Sequence, residues 1–71
     1  MADVRTERAW LNRLDDARQY HAAHGHLDPP APTIVNGRRL DAWLGVQRTR
    51  RNQGRLTPQQ TAALDELAIR W

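Results

Sequence analysis

Three prolines within four positions, Pro29, Pro30 and Pro32, divide the chain into two parts. Proline fixes its own φ angle, lacks a backbone N–H and keeps the residue before it out of the helical region. No helix can therefore continue through residues 25–37, which read GHLDPPAPTIVNG. The helices that the flanking sequences predict must be separate elements that pack against each other.

The proline segment itself is predicted to be an ordered loop that closes over the core. Asn36–Gly37 is typical of a tight turn. Thr33–Val35 has the composition of a strand, but no partner segment of comparable length is evident, so the sequence favours a loop without a strand. We expect Leu27, together with Ile34 or Val35, to anchor this loop.

The residues before the prolines predict a first helix at about residues 6–24. Thr6 can act as its N-cap, and Gly25 is well placed as a left-handed residue after its last turn. Asp15 and Asp16 are predicted to face away from the core. The apolar stripe of the helix comprises Trp10, Leu14, Ala17, His21 and His24.

Two further helices are predicted after the loop. The second covers about residues 39–53 and ends at Gly54. The third covers about residues 58–69 and begins with a capping box formed by Thr57 and Gln60. These patterns predict an all-α fold, namely a small three-helix bundle with a long proline-containing loop between helices one and two.

A chain of 71 residues forms at most one domain, here residues 1–71. A domain this small buries only about 60% of the surface of its unfolded chain, so its large side chains must supply most of the core. The predicted core residues are Trp10, Leu14, Tyr20, Leu40, Trp43, Leu44, Leu56, Leu64, Leu67 and Trp71. For all three tryptophans, a core position is favoured over a platform on which bases stack.

Positive charge is concentrated in the middle of the chain. Residues 38–55 hold six arginines and one aspartate, whereas residues 1–37 hold four arginines and five acidic residues, and residues 56–71 hold one arginine and two acidic residues. This asymmetry indicates a polyanionic partner. Arginine forks match phosphate oxygens, and the predicted nucleic-acid-binding residues are Arg38, Arg39, Arg48, Arg50, Arg51 and Arg55. The alternative for Arg48 is an internal ion pair with Asp15, Asp16 or Glu66.

Catalysis and metal binding have little support in the sequence. The chain has no cysteine and no serine, and Asp15–Asp16 and Asp65–Glu66 are adjacent pairs that cannot act together on one helix face. His21, His24 and His26 lack the spacing of a metal site, and His26 is expected to hydrogen-bond loop backbone. We expect no catalytic residue, no metal and no cofactor. No apolar run approaches the length of a membrane span, so a cytoplasmic protein is expected.

The order of several motifs resembles a known family. A tryptophan opens the first helix, HGH ends it, and the proline loop, LDAWLGVQRTRRNQGRLT and LAIRW follow. This combination is similar to the helicase-associated domain, which occurs, often in tandem, C-terminal to the cores of bacterial superfamily 2 helicases. The resemblance covers about residues 8–71 and implies a short three-helix domain that binds nucleic acid.

Three positions depart from the family pattern. The usual Leu-Gly pair is Leu40–Asp41, a frequent aromatic position is Arg51, and the usual glycine near the closing tryptophan is Ala68. The resemblance nevertheless implies a non-catalytic accessory module in a helicase context. We expect it to be a monomer that binds the backbone of DNA rather than RNA and has a helicase core in the same or another chain. The alternatives are a protein-interaction module for an acidic partner or the parent helicase, and a structural spacer.

Overall fold

The computed structural model describes the backbone of residues 4–71 and the side chains of residues 7–71. In this part of the chain it is mainly helical and adds a small antiparallel sheet. Its elements are α1 (Val4–His24), β1 (Ile34–Val35), β2 (Arg38–Arg39), α2 (Leu40–Asn52) and α3 (Pro58–Glu66). Because α1 begins at Val4, Thr6 lies inside the helix, and its prediction as the N-cap was wrong. No helix within residues 4–71 is long and apolar enough to cross a membrane.

The segment predicted as a loop without a strand contains a short β-hairpin. Ile34 pairs with Arg39 and Val35 with Arg38, through a turn in which Asn36 and Gly37 have φ angles of 53° and 75°. Positive φ at both central residues matches the twist that a two-residue hairpin requires. The predicted turn is therefore present. The missing partner strand is Arg38–Arg39, of which the helical pattern had assigned Arg39 to the start of helix two.

One hydrophobic core joins the three helices and the loop. Trp43, Leu56, Leu67 and Val35 pack against its edge and are half-buried. Leu27 anchors the loop in the core, whereas Ile34 is exposed. The buried members are Trp10, Leu14, Ala17, Tyr20, Leu27, Leu40, Leu44, Leu64 and Ile69.

Helix α3 ends at Glu66, three residues before the predicted end. Ala68 has a φ of 55°, its N–H donates to the Asp65 carbonyl at 2.9 Å, and the N–H of Ile69 donates to the Leu64 carbonyl at 3.3 Å. This is the Schellman arrangement, which usually places glycine at the left-handed position. It turns the chain so that Ile69 enters the core in place of Trp71, which is 37% exposed. The prediction of Trp71 as a core residue was therefore wrong.

We predict that Ala68→Gly raises the free energy of unfolding by about 0.5–1 kcal/mol, because glycine adopts positive φ without the steric cost that alanine carries. Urea denaturation followed by circular dichroism measures the change. The matched control is Ala62→Gly at an exposed position inside α3, which should lower stability by about 1 kcal/mol. A loss of stability in both variants would contradict the argument.

Candidate nucleic-acid interface

Helix α2 is held in one orientation by a buried polar contact as well as by leucines. Gln47 is completely buried, and its Oε1 accepts a hydrogen bond from Trp10 Nε1 of α1 at 2.9 Å. Its Nε2 donates to the Trp43 carbonyl at 3.4 Å. The Trp10 and Trp43 rings lie 5.6 Å apart between their centroids. A buried amide with specific partners fixes the rotation of a helix more tightly than apolar packing does.

The chain directly after α2 is folded back against the last turn of that helix. Gly54 has a φ of 68°, and its N–H donates to the Arg51 carbonyl at 3.0 Å. The N–H of Arg55 donates back to the Arg50 carbonyl at 2.8 Å. This second Schellman arrangement folds the chain against the last turn of α2. The backbone of Arg55 is therefore fixed beside that of Arg50.

Arg48 connects α2 to the C-terminal segment without using an acidic residue. Its Nε donates to the backbone carbonyl of Arg70, and within residues 7–71 no carboxylate lies within 4.0 Å of its guanidinium. The expected alternative, a pair with Asp15, Asp16 or Glu66, is thus not the arrangement in the structure. A carbonyl positions the guanidinium but leaves its positive charge uncompensated.

Arg51 stacks on the ring of Trp71. The guanidinium carbon lies 4.7 Å from the ring centroid, within the range of a cation–π contact. Trp71 Nε1 donates to Asp65 Oδ1 at 2.6 Å. The indole is therefore held at the surface from two sides, between α2 and the end of α3.

Four arginines at the end of α2 form what we call the basic surface. Arg50, Arg51 and Arg55 are exposed, and Arg48 is half-buried. Among the side chains of residues 7–71, no carboxylate forms an ion pair with any of the four. Their positive charge is thus available to an external anion. The basic surface comprises Arg48, Arg50, Arg51 and Arg55.

Arg38, also predicted to bind nucleic acid, forms an ion pair with Asp16 instead. Its Nη2 lies 2.9 Å from Asp16 Oδ1, which also accepts from Asn36 Nδ2 at 2.8 Å. Arg13 Nε faces the other carboxylate oxygen at 3.5 Å. Asp16 is only 1% exposed, so the prediction that it faces away from the core was wrong. The cluster joins α1 to the hairpin.

Arg39 is paired in a similar way with Asp41, the residue that stands where the family pattern has glycine. Arg39 Nη2 lies 2.5 Å from Asp41 Oδ2, and Asp41 Oδ1 accepts from the backbone N–H of Thr33 at 3.0 Å. The hydrogen bond from Arg39 and then that from Thr33 lower the pKa of Asp41 to about 2. Arg39 is therefore engaged in holding the hairpin to the start of α2.

The predicted arginine set thus falls into two groups at opposite ends of α2. Arg38 and Arg39 precede its first residue, and the basic surface surrounds its last turn. A helix of 13 residues separates these ends by about 18 Å. Only the second group combines uncompensated charge with a fixed backbone.

The comparison with known families identifies the family of the chain. The family model of the helicase-associated domain matches residues 7–71, which include the hairpin, α2 and α3 completely and α1 from Glu7 onwards. The chain belongs to this family. No curated protein and no solved structure matches it.

Two histidines of this helicase-associated domain lie beside the ring of Tyr20. The Tyr20 ring centroid lies 4.2 Å from that of His24 and 5.5 Å from that of His26. His26 Nδ1 accepts a hydrogen bond from the backbone N–H of Asp28 at 3.1 Å, which confirms the expected contact with loop backbone. Within the described residues, no group of three or more His, Asp or Glu side chains is arranged to hold a metal ion.

A separate apolar cleft of about 630 Å³ lies between the first half of α1 and the start of α3 in the helicase-associated domain. Trp10, Trp43 and Leu11 form much of its wall, and Leu11 is 47% exposed. Arg13 and Arg18 stand at its edge.

Proposed function

We propose that this domain is a non-catalytic accessory module that binds the phosphate backbone of nucleic acid through the basic surface. The observation that carries the proposal is the division of the arginines: among residues 7–71, two of the predicted six form ion pairs with acidic residues, and four do not. A set of fixed, uncompensated guanidiniums suits phosphate oxygens, and binding releases condensed counterions.

The expected substrate is DNA rather than RNA, contacted through its backbone rather than through base edges. Phosphate contacts fix position and carry no direct sequence information. In a helicase, such a module would add affinity for the strand while a separate motor hydrolysed ATP. The anchoring of α2 by Gln47 and Trp10 supports this role, because a fixed helix presents its arginines in one arrangement.

The test is a fluorescence-anisotropy titration with labelled single-stranded and duplex DNA at roughly 50, 100 and 200 mM salt. We expect the logarithm of the binding constant to fall with the logarithm of salt concentration with a slope of about 3 to 4. Arg50→Ala, Arg51→Ala and Arg55→Ala should each reduce that slope by about one, because each variant removes one phosphate contact.

Arg18→Ala is the matched control for these variants. It removes the same charge, but Arg18 lies on α1 and pairs with Asp15 at 3.5 Å. The salt slope should therefore stay unchanged. An equal reduction for Arg18→Ala would mean that net charge alone is responsible. No binding at the lowest salt by a protein that is folded by circular dichroism would refute the proposal.

The apolar cleft favours one second candidate function, docking of a protein such as an acidic partner or the parent helicase. This alternative predicts that Leu11→Ala weakens the complex with that partner, since Leu11 is a large exposed side chain in the cleft wall. It also predicts no effect of Leu11→Ala on DNA binding. A purely structural spacer predicts that neither Leu11→Ala nor the arginine variants change any binding measurement.

A further inference from the structure

Trp71 is an exposed aromatic ring inside the basic surface. It is 37% exposed, and Arg51 lies against its ring. The residue before it, Arg70, is tied to α2 through the bond between its carbonyl and Arg48 Nε. The ring is therefore positioned by a direct contact with Arg51 and by the bond that Arg48 makes to the preceding residue.

The ring is oriented without being buried. Its Nε1 donates to Asp65 Oδ1 at 2.6 Å, and Arg51 covers part of its surface. Trp10 shows the contrast, since it is 8% exposed and its N–H is satisfied inside the core by Gln47. Ile69 occupies the core position that the closing tryptophan was predicted to fill. The hydrophobic core therefore does not account for an indole at position 71.

We propose that Trp71 is a stacking platform for an unpaired nucleobase of the strand whose phosphates the basic surface binds. This inference rests on the proposed function and makes it more specific. Aromatic side chains hold bases of single strands by stacking on their π-faces, whatever the base. The guanidinium of Arg51 occupies part of the ring, and a base stacks on the part that remains exposed.

The arrangement selects single-stranded over duplex nucleic acid. In a duplex each base is already stacked and paired, so reaching a protein ring requires disrupting the helix. In a single strand the bases turn outward at little cost. Arg51 lies against the ring and Arg48 binds the carbonyl of the preceding residue, so we expect both to contact phosphates next to the stacked base.

The first test uses the wild-type domain and two labelled strands of equal length, an oligothymidylate and the same backbone with abasic sites. Both strands present the same number of phosphates. We expect the oligothymidylate to bind at least about fivefold more tightly, the lower end of what stacking of one base contributes. Tryptophan emission should fall on binding of the oligothymidylate and change less with the abasic strand.

The second test compares variants. Trp71→Ala should abolish the preference for the oligothymidylate while leaving the salt slope intact, and Trp71→Phe should retain part of the preference. Ile34→Ala is the matched control, because it removes an apolar side chain that is 58% exposed but belongs to the hairpin. Circular dichroism verifies that each variant is folded.

The outcomes separate the two proposals. If the wild type binds both strands equally with a normal salt slope, the platform is refuted and phosphate binding stands. If Trp71→Ala weakens both strands by the same factor, the ring has a structural role and the platform is again refuted. If the wild type binds neither strand, both proposals fail.

Discussion

Replacing Asp16 with alanine is expected to lower the free energy of unfolding by about 2–4 kcal/mol. The carboxylate is buried and joins α1 to the hairpin through Asn36 and Arg38, with Arg13 facing its second oxygen. Its removal leaves Arg38 Nη2 without its acceptor, leaves Asn36 Nδ2 with only Gln19 Oε1 at 3.3 Å, and removes the charge that faces Arg13. The value lies below that of a fully buried ion pair, because the Arg38 side chain is 41% exposed and can be solvated.

A small domain has only about 3–5 kcal/mol of stability, so this variant should be close to unfolding at room temperature. Thermal denaturation by circular dichroism should show a decrease in Tm of roughly 10–20 °C. Asp15→Ala is the matched control, because the neighbouring carboxylate is 61% exposed and contacts only Arg18 in the part of the chain that the structure describes. The Tm of Asp16→Asn should lie between those of Asp16→Ala and Asp15→Ala. An unchanged Tm for Asp16→Ala would mean that the free-energy cost of desolvating the carboxylate equals the stabilisation from its contacts.

Gln47→Ala is also expected to lower the free energy of unfolding by about 2–4 kcal/mol, but for a different reason. The variant opens a cavity at a completely buried position and removes the acceptor of Trp10 Nε1. Gln47→Leu fills the space but leaves the indole N–H unpaired, so it should cost about 1–3 kcal/mol. Urea denaturation measures both values.

A double-mutant cycle isolates the hydrogen bond from the cavity. Trp10→Phe removes the donor, and Gln47→Leu in that background should cost less than it does in the wild type. Gln59→Ala is the control, since this glutamine is exposed on α3 and should change stability by less than about 0.5 kcal/mol. Equal costs of Gln47→Leu in both backgrounds would show that the bond to Trp10 contributes nothing.

Local signals in the sequence were sufficient to predict the helix ends that depend on special residues. The capping box of Thr57 and Gln60 is present, with hydrogen bonds of 3.1 Å in both directions. Gly25 and Gly54 have positive φ, as a left-handed residue after a helix requires. These signals act within a few residues, so sequence spacing alone reveals them.

Features that depend on contacts between distant segments were missed. The hairpin needed Arg38–Arg39 as a strand, although these residues have no strand propensity of their own and are set by the Asn36–Gly37 turn. Asp16 was assigned to solvent because a carboxylate is rarely buried without partners. Its spacing was informative, since it lies three residues after Arg13 and four before Tyr20, which places all three on one side of α1.

The sequence predicted the arginines of the candidate site but not their division into paired and unpaired groups. Counting charges along the sequence identified all six arginines as one basic group. It could not show which of them form ion pairs with a carboxylate in the folded chain. The prediction that Trp71 lies in the core was wrong because the apolar periodicity extended the third helix to Ile69. In the structure α3 ends at Glu66, and Ala68 has the left-handed conformation that follows the helix end. A non-glycine residue with positive φ has no reliable signal in a single sequence.

The pairing of Arg38 and Arg39 also has a kinetic consequence. Arg38 and Arg39 before α2 form ion pairs with Asp16 and Asp41, whereas no carboxylate of residues 7–71 pairs with the four arginines around the last turn of that helix. In the electric field of a polyanion, a molecule whose positive charge lies on one side is oriented before contact. A larger fraction of encounters then begins with the positively charged side facing the polyanion. In the proposed complex with nucleic acid, these ion pairs would therefore affect how quickly the complex forms, although their arginines lie at the opposite end of α2 from the basic surface.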